Sequence, residues 1–247
     1  MKKLFLIFIF IFLTGCTNIS EEQLKQEIKD ELNEEMVFDP SSFNEHLTSI
    51  SSTIDKWTVS IEIIQGEFTM IGSGILYSKN DNEYKVLTNE HVVRYADSIE
   101  IYIPYKDIYI TASVERSDLD LDLAILSFSS LTELEVYEIV DVDYQIGEMV
   151  LACGTATSQD YANSVTLGII SNIDDNRIQH DASINNGNSG GPLFNFEGKL
   201  IGLNVSKINT TYIGNSQVFV EGIGFSIGID DILYFLSFGI NWSYCQM

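Results

Sequence analysis

Residues 57–77 read WTVSIEIIQGEFTMIGSGILY. β-Branched and aromatic residues recur here with the period of a strand, and Gln65-Gly66-Glu67 divides the stretch into two segments, 57–64 and 68–77. The same texture continues outward through YKVLT (84–88), SIEIYI (98–103), DIYITASV (107–114), LAILSF (123–128) and EMVLAC (148–153). It resumes in SVTLGIIS (164–171), RIQHDAS (177–183), KLIGLNVS (199–206), SQVFVE (216–221) and GIGFSI (222–227). About a dozen short strands separated by Gly, Asn, Asp and Ser imply an all-β barrel or sandwich. The chain closes differently: Ile229, Ile232, Leu233 and Leu236 fall at i, i+3, i+4, i+7 behind Asp230-Asp231, which predicts an amphipathic helix with acids at its N-terminus.

Composition sets the outer limits. The 247 residues are 45% apolar and 11% aromatic, enough for a real core, which excludes wholesale disorder. Thirty-six acids against 13 bases give a net charge of -23, which disfavours nucleic acid as a partner because each phosphate contact needs a cation.

The N-terminus reads as a targeting segment. After the basic Lys2-Lys3, Leu4 to Leu13 is an unbroken apolar run of ten residues. At 1.5 Å per residue it reaches about 15 Å, half of a bilayer core, so it is a signal h-region and not a span. The run stops at Leu13-Thr14-Gly15-Cys16, which resembles a bacterial lipobox: small residues before a cysteine whose thiol takes the lipid. The expectation is a lipoprotein signal over 1–15 and lipidation at Cys16, with an ordinary secretory signal the plainer alternative. Export permits disulfides. Cys153, in an apolar run, and Cys245 are expected as separate thiols, a bridge between them being the alternative.

Residues 20–36 have a capping-box start at Ser20 and Gln23 and a one-residue apolar stripe, Leu24, Ile28 and Leu32, as in a solvated stalk helix. Residues 37–52, with Pro40 and a run of Ser, Asn and Thr, suit a linker. The expected organisation is therefore a signal over 1–15, an acidic tether over 16–53, helical or disordered, and one globular domain over 54–247. Loss of Lys2 and Lys3 with the signal leaves 11 bases against 36 acids, or -25, of which residues 20–39 carry -6. The globular domain at -19 would be repelled by an anionic membrane, so the lipid must be the anchor.

Three strings carry chemistry. Asn185-Asn186-Gly187-Asn188-Ser189-Gly190-Gly191 surrounds a serine with glycines. A serine hydroxyl needs a base beside it and backbone N–H groups aimed at the oxyanion, and glycines allow the N–H groups of Gly187 and Ser189 to converge. Read alone, the string is also a Gly/Asn-rich hairpin. Thr88-Asn89-Glu90-His91 places one of three histidines after a strand, and Asp118-Leu119-Asp120-Leu121-Asp122 opens a buried strand with a carboxylate able to orient an imidazole. Asp122 is preferred because it adjoins the apolar run. A calcium loop fails on spacing: from Asp118 the sixth position is Leu123 and the twelfth Ser129, where Gly and Glu are needed. No cofactor or metal is expected.

His, Asp and Ser in that order, 31 and 67 residues apart on an all-β chain, resemble the trypsin-like serine proteases of the HtrA (Deg) group. The resemblance extends to Ile71-Gly72-Ser73-Gly74-Ile75, Gly147 to Gly154, Ser164 to Ser171, Ile178 to Leu193 and Gly222 to Ile227, and covers residues 57–238. It implies a chymotrypsin-like double β-barrel with a C-terminal helix. It also implies His91 as base, Asp122 as orienting acid, Ser189 as nucleophile, and an oxyanion hole from Gly187 and Ser189. Ser183 is placed by it at the base of the S1 pocket, with Gly224 beside it. Without an acid there, small or medium apolar P1 side chains are expected and basic ones are not. Ile223 to Ser226 is the expected edge for substrate pairing. Asn186 and His180 depart from the family's usual residues, and His180 is read as structural or substrate-facing. The chain ends at Met247, where many family members continue into a PDZ domain, so a form without one is expected.

The implied function is an extracytoplasmic serine endopeptidase, lipid-anchored at the cell membrane, cleaving unfolded or damaged proteins. Its partners are protein or peptide substrates, with an oligomer compatible. The alternative is a catalytically silent lipoprotein module holding peptides on the same fold. His91, Asp122 and Ser189 together argue against it, because a binding module has no chemical need for all three.

Overall fold

In the computed structural model the described residues are 39–207, 210–213, 216–219 and 221–238, with Glu22 and Lys25 alone upstream. The expected signal, Cys16 and Cys245 lie outside them, as does the stalk over 20–36 except for those two residues, both helical. The chain forms two compact units, Met1–Glu45 and His46–Met247, and every strand lies in the second.

The strand-rich segments close into two barrels. The first is built from β1 (Thr58–Gln65), β2 (Phe68–Asn80), β3 (Glu83–Thr88), β4 (Ser98–Ile103), β5 (Ile108–Asp118) and β6 (Leu123–Ser129), in the order β1-β2-β3-β6-β5-β4. The second uses β7 (Met149–Gly154), β8 (Ser164–Asp174), β9 (Arg177–His180), β10 (Pro192–Asn195), β11 (Leu200–Lys207) and β14 (Gly224–Gly228), in the order β10-β11-β14-β9-β8-β7. A separate hairpin joins β12 (Thr210–Ile213) to β13 (Ser216–Phe219). All pairing is antiparallel, and closure leaves neither barrel with a free sheet edge. Four-residue β10 was not among the expected strands, being hidden behind the Gly-Gly-Pro of the nucleophile string.

Alternation decides what each strand buries. Val59, Ile61 and Ile63 point into the first barrel against Ile99, Ile101 and Phe128, while Val150, Ala152, Ile170 and Ile201 fill the second. The opposite faces of several strands are buried too, since the barrels pack on one another. Ile75, Leu87, Leu151, Phe194 and Leu203 form this middle core, with Trp57 and Tyr137 edge-on at 4.9 Å. Each such Ile, Leu or Phe contributes roughly 1.5–3 kcal/mol by leaving water. Among the described residues from 39 to 238, three α-helices complete the fold: α1 (Pro40–Ile54), α2 (Glu90–Val93) and α3 (Ile229–Ser237). The last is the expected closing helix and plants Ile229, Ile232 and Phe235 in the middle core.

Helix α1 corrects the reading of 37–52 as linker. Asp39 caps it by accepting from the Ser41 N–H at 3.0 Å, with Pro40 where a helix tolerates proline. Leu47, Ile50 and Ile54 repeat at helical spacing and pack on the middle core. The polar composition masked this stripe because Ser, Thr and Asn occupy the outward face. Cys153 is buried and unbridged, and burial pushes its thiol up.

Candidate active site

The barrels meet where β3 hands over to α2. Asn89 is extended at φ -78°, and the turn that follows presents His91 at the strand end. Asp122 stands one residue before β6 in the left-handed region at φ 55°, a conformation that aspartate adopts more readily than most non-glycine residues, as Asp81, Asp107 and Asp175 also do here. Four contacts hold the pair. His91 Nδ1 lies 2.9 and 2.8 Å from the two Asp122 carboxylate oxygens, the His91 N–H donates to Oδ1 at 2.9 Å, and Asn89 Nδ2 donates to the Asp122 carbonyl at 2.9 Å. With Nδ1–H fixed on the carboxylate, Nε2 is left as the basic nitrogen.

Ser189 lies in the loop between β9 and β10. Its carbonyl accepts from the Ser73 N–H of β2 at 2.8 Å. The neighbouring Gly190 packs so closely that a Cβ would fall 2.1 Å from Thr88 Oγ1 and 3.0 Å from the Asn89 nitrogen. The loop of the second barrel is thus seated against the residues that carry His91. Gly187, at φ 96°, would place a Cβ 2.1 Å from the Thr155 carbonyl oxygen, so only glycine fits. Its preceding carbonyl, that of Asn186, accepts from the Thr157 N–H at 2.7 Å. Neither the Gly187 nor the Ser189 N–H donates to a protein acceptor among the described residues.

The Ser189 hydroxyl donates to the carbonyl of Val205 at 2.9 Å. Val205 occupies a β-bulge, the register with β14 shifting between Asn204 and Ser206, which frees its carbonyl from the ladder. No hydrogen bond joins Ser189 to His91 among the described residues.

Beneath this loop lies a polar network that sequence reading missed. Asn204, fully buried, donates through Nδ2 to the carbonyls of Cys153 and Pro192, each at 3.1 Å, so its Oδ1 must accept, and does so from Ser226 Oγ at 3.2 Å. The Ser226 hydroxyl, its proton committed, accepts from His180 Nε2 at 3.1 Å. His180 Nδ1 is then a bare acceptor with no protein partner among the described residues. Burial, opposed by the Ala182 backbone and Asp181, lowers the imidazole to about 4. The signal for Asn204 was an amide inside the apolar string KLIGLNVS.

Ser183 is exposed, its carbonyl taking the Thr166 hydroxyl at 2.9 Å, while Gly224 is buried on β14 opposite His180. The expected substrate edge at Ile223 to Ser226 is corrected: from Gly224 onward β14 pairs with β9 on one side and β11 on the other, so its backbone is already engaged. A groove of about 360 Å³ lined by Thr69, Met70, Ile71, Thr157, Asn186 and Gly187 opens beside the oxyanion loop instead.

Two six-stranded barrels with a serine loop from one seated beside a His–Asp pair from the other define the chymotrypsin-fold class of proteins. The chain belongs to the trypsin-like peptidase domain family, whose profile matches residues 72–203 and spans His91, Asp122 and Ser189. It is 38% identical over 175 residues to the serine protease Do-like HtrA of Bacillus subtilis, covering 65% of this chain and 37% of that protein. It is 34% identical over 200 residues to a probable periplasmic serine endoprotease, DegP-like, of Rickettsia prowazekii, covering 74% and 37%. The serine endoprotease of Yersinia pestis superposes with a TM-score of 0.65 at 31% identity, covering 81% of this chain and 67% of that one. An HtrA-type protease solved with a tripeptide gives 0.66 at 28%, covering 78% and 63%. The chain spans only about two fifths of the length of the curated relatives.

Proposed function

We propose that this protein is an HtrA-type serine endopeptidase acting on unfolded or damaged proteins outside the cytoplasm. The observation that carries the reading is the His91–Asp122 pair, in which the Asp122 carboxylate meets both the ring and the His91 N–H. In the reaction, Ser189 Oγ bonds to the scissile carbonyl carbon while its proton passes to His91 Nε2. The carbonyl oxygen becomes an oxyanion facing the Gly187 and Ser189 N–H groups. His91 gives the proton to the amine nitrogen, the C–N bond breaks, and the acyl-enzyme remains. Water then repeats the sequence: its proton goes to His91, its oxygen to the acyl carbon, and Ser189 Oγ recovers a proton as the acid leaves. Ser183 and Gly224 flank the S1 pocket in this reading, with apolar P1 side chains preferred because no acid among them would pair a cation. Digestion of casein and labelling by a fluorophosphonate, both lost in Ser189→Ala, test it; labelling that persists in that variant would sink it.

The anchor in this reading is a lipid on Cys16. The lipobox-like Leu13-Thr14-Gly15-Cys16 and the acidity of residues 40–247 support it. Among the described residues, no helix is long and apolar enough to cross a membrane. Incorporation of a palmitate analogue that survives in Cys16→Ala would refute it.

One observation favours the silent peptide-binding module: Ser189 bonds Val205 and not His91. A neutral hydrogen bond is worth about 1 kcal/mol net, roughly a fivefold population effect, far too small to silence an acyl-transfer site. Wild-type turnover of casein separates the two readings.

A further inference from the structure

Ser73 lies in the middle of β2, in the first barrel, yet its polar atoms serve the second. Its side chain is fully buried. The Oγ–H donates to the Gly187 carbonyl at 2.7 Å, and Oγ accepts from the Thr155 N–H at 2.8 Å. Its own N–H donates to the Ser189 carbonyl at 2.8 Å, and its carbonyl accepts the Thr88 hydroxyl at 2.7 Å. One residue thus holds the carbonyls of both residues whose N–H groups face the oxyanion. The fit is close on every side: a Cβ on Gly154 would lie 2.8 Å from Ser73 Oγ, and one on Gly191 would lie 3.1 Å from Ser73 Cβ.

We infer that Ser73 is a positioning residue for the oxyanion hole, its hydroxyl fixing the Gly187–Asn188 peptide plane that joins the plane carrying the Gly187 N–H to the plane carrying the Ser189 N–H, so that the two donors converge on the reacting oxygen. The inference rests on the endopeptidase reading. Its physics is that of a glycine with two free torsions. Gly187 at φ 96° has no side chain to restrain it; its N–H lies in the plane it shares with the Asn186 carbonyl, and the following plane, Gly187 to Asn188, sets how that N–H sits relative to the Ser189 N–H. Thr157 pins the preceding plane through the Asn186 carbonyl at 2.7 Å, and Ser73 pins the following plane. Without the Ser73 hydroxyl, the buried Gly187 carbonyl loses its donor and the following plane is held only by the Asn188 N–H, which donates to the Asn185 carbonyl at 3.0 Å. A buried carbonyl without a donor is costly, so the loop shifts to find one. Ser73 touches neither the nucleophile's hydroxyl nor the base, so binding of the ground-state substrate should be left largely intact.

The test is Ser73→Ala in the full chain, read by kcat and KM on a peptide anilide and by the affinity of a peptide boronate, which mimics the tetrahedral oxyanion. Loss of a whole oxyanion donor lowers kcat by about 10²–10³, so loss of its positioning partner is expected to lower kcat by about 10- to 100-fold. KM should stay within about threefold, and boronate affinity should fall in parallel with kcat while product-peptide affinity does not. Val86→Ala, which opens the first barrel's core without touching the loop, controls for general destabilisation: it should lower Tm and spare kcat. If Ser73→Ala does not fold, Ser73→Cys keeps a side chain in the cradle but donates weakly, and is read the same way. A kcat at wild-type level in the folded variant, or a fall in kcat matched by an equal rise in KM, overturns the inference alone. An inert wild type overturns the endopeptidase reading and Ser73's role with it.

Discussion

The Ser189 hydroxyl donates to the Val205 carbonyl at 2.9 Å, across a bulge in β11, and in that orientation it is withheld from His91. The bulge is what makes the acceptor available, because a carbonyl in a regular ladder would already be bonded to the next strand. In the proposed mechanism, attack on substrate therefore begins with a rotation of one side-chain torsion and the loss of one hydrogen bond. Since that bond is worth about 1 kcal/mol, substrate contacts offset it easily.

Asp122 fixes which nitrogen of His91 is basic, so Asp122→Asn should preserve the fold and lower kcat by about 10⁴, the amide stabilising the wrong tautomer. Steady-state kinetics with a melting curve check this. A loss under tenfold would mean that another group orients the ring.

Gly187→Ala places a Cβ 2.1 Å from the Thr155 oxygen at a φ of 96°. Retraction of the loop should lower kcat by about 10²–10³, the size of a lost oxyanion donor. Labelling by fluorophosphonate should slow in step with peptide hydrolysis.

His180 makes stability depend on pH. Its folded value of about 4 lies below the ordinary value of 6.5, so between these the unfolded chain binds more protons than the folded one. Stability is complete above about pH 6.5, falls as pH drops toward 4, and levels off below it, for a total of roughly 3 kcal/mol. Denaturant midpoints at pH 7 and 4.5 for wild type and His180→Gln are the measurement. The variant should lose less between the two, and equal losses would remove His180 as the cause.

Ile54→Ala on α1 should destabilise the protein by about 2–5 kcal/mol, the range for a fully buried Ile or Leu. Ser52→Ala on the outward face should be nearly silent. If both are silent in thermal melts, α1 is not part of the core.

From the sequence alone the class of fold was readable, because strand periodicity and turn residues are local properties that every segment from Trp57 onward carries. The chemistry-bearing strings around His91, Asp122 and Ser189 stood out by residue type for the same reason. Closure into two barrels was implied by the family resemblance of these strings and not by period-two patterning, which does not encode which strands neighbour one another, and for that reason β14 as an inner strand and not an edge was decided only by the tertiary structure. The helix α1 was hidden because buried Ile50 and Ile54 and half-buried Leu47 are a minority among polar residues, and only the middle core shows what they pack against. Ser73 and Asn204 read as incidental polar residues within strands. Ser73 meets Gly187 and Ser189 only when the barrels dock, and Asn204 meets Cys153 and Pro192 at 3.1 Å only when the second barrel closes. Residue types thus set the available chemistry, while long-range packing decided which backbone groups each side chain meets, since a hydrogen bond forms only where the fold places a donor against an acceptor.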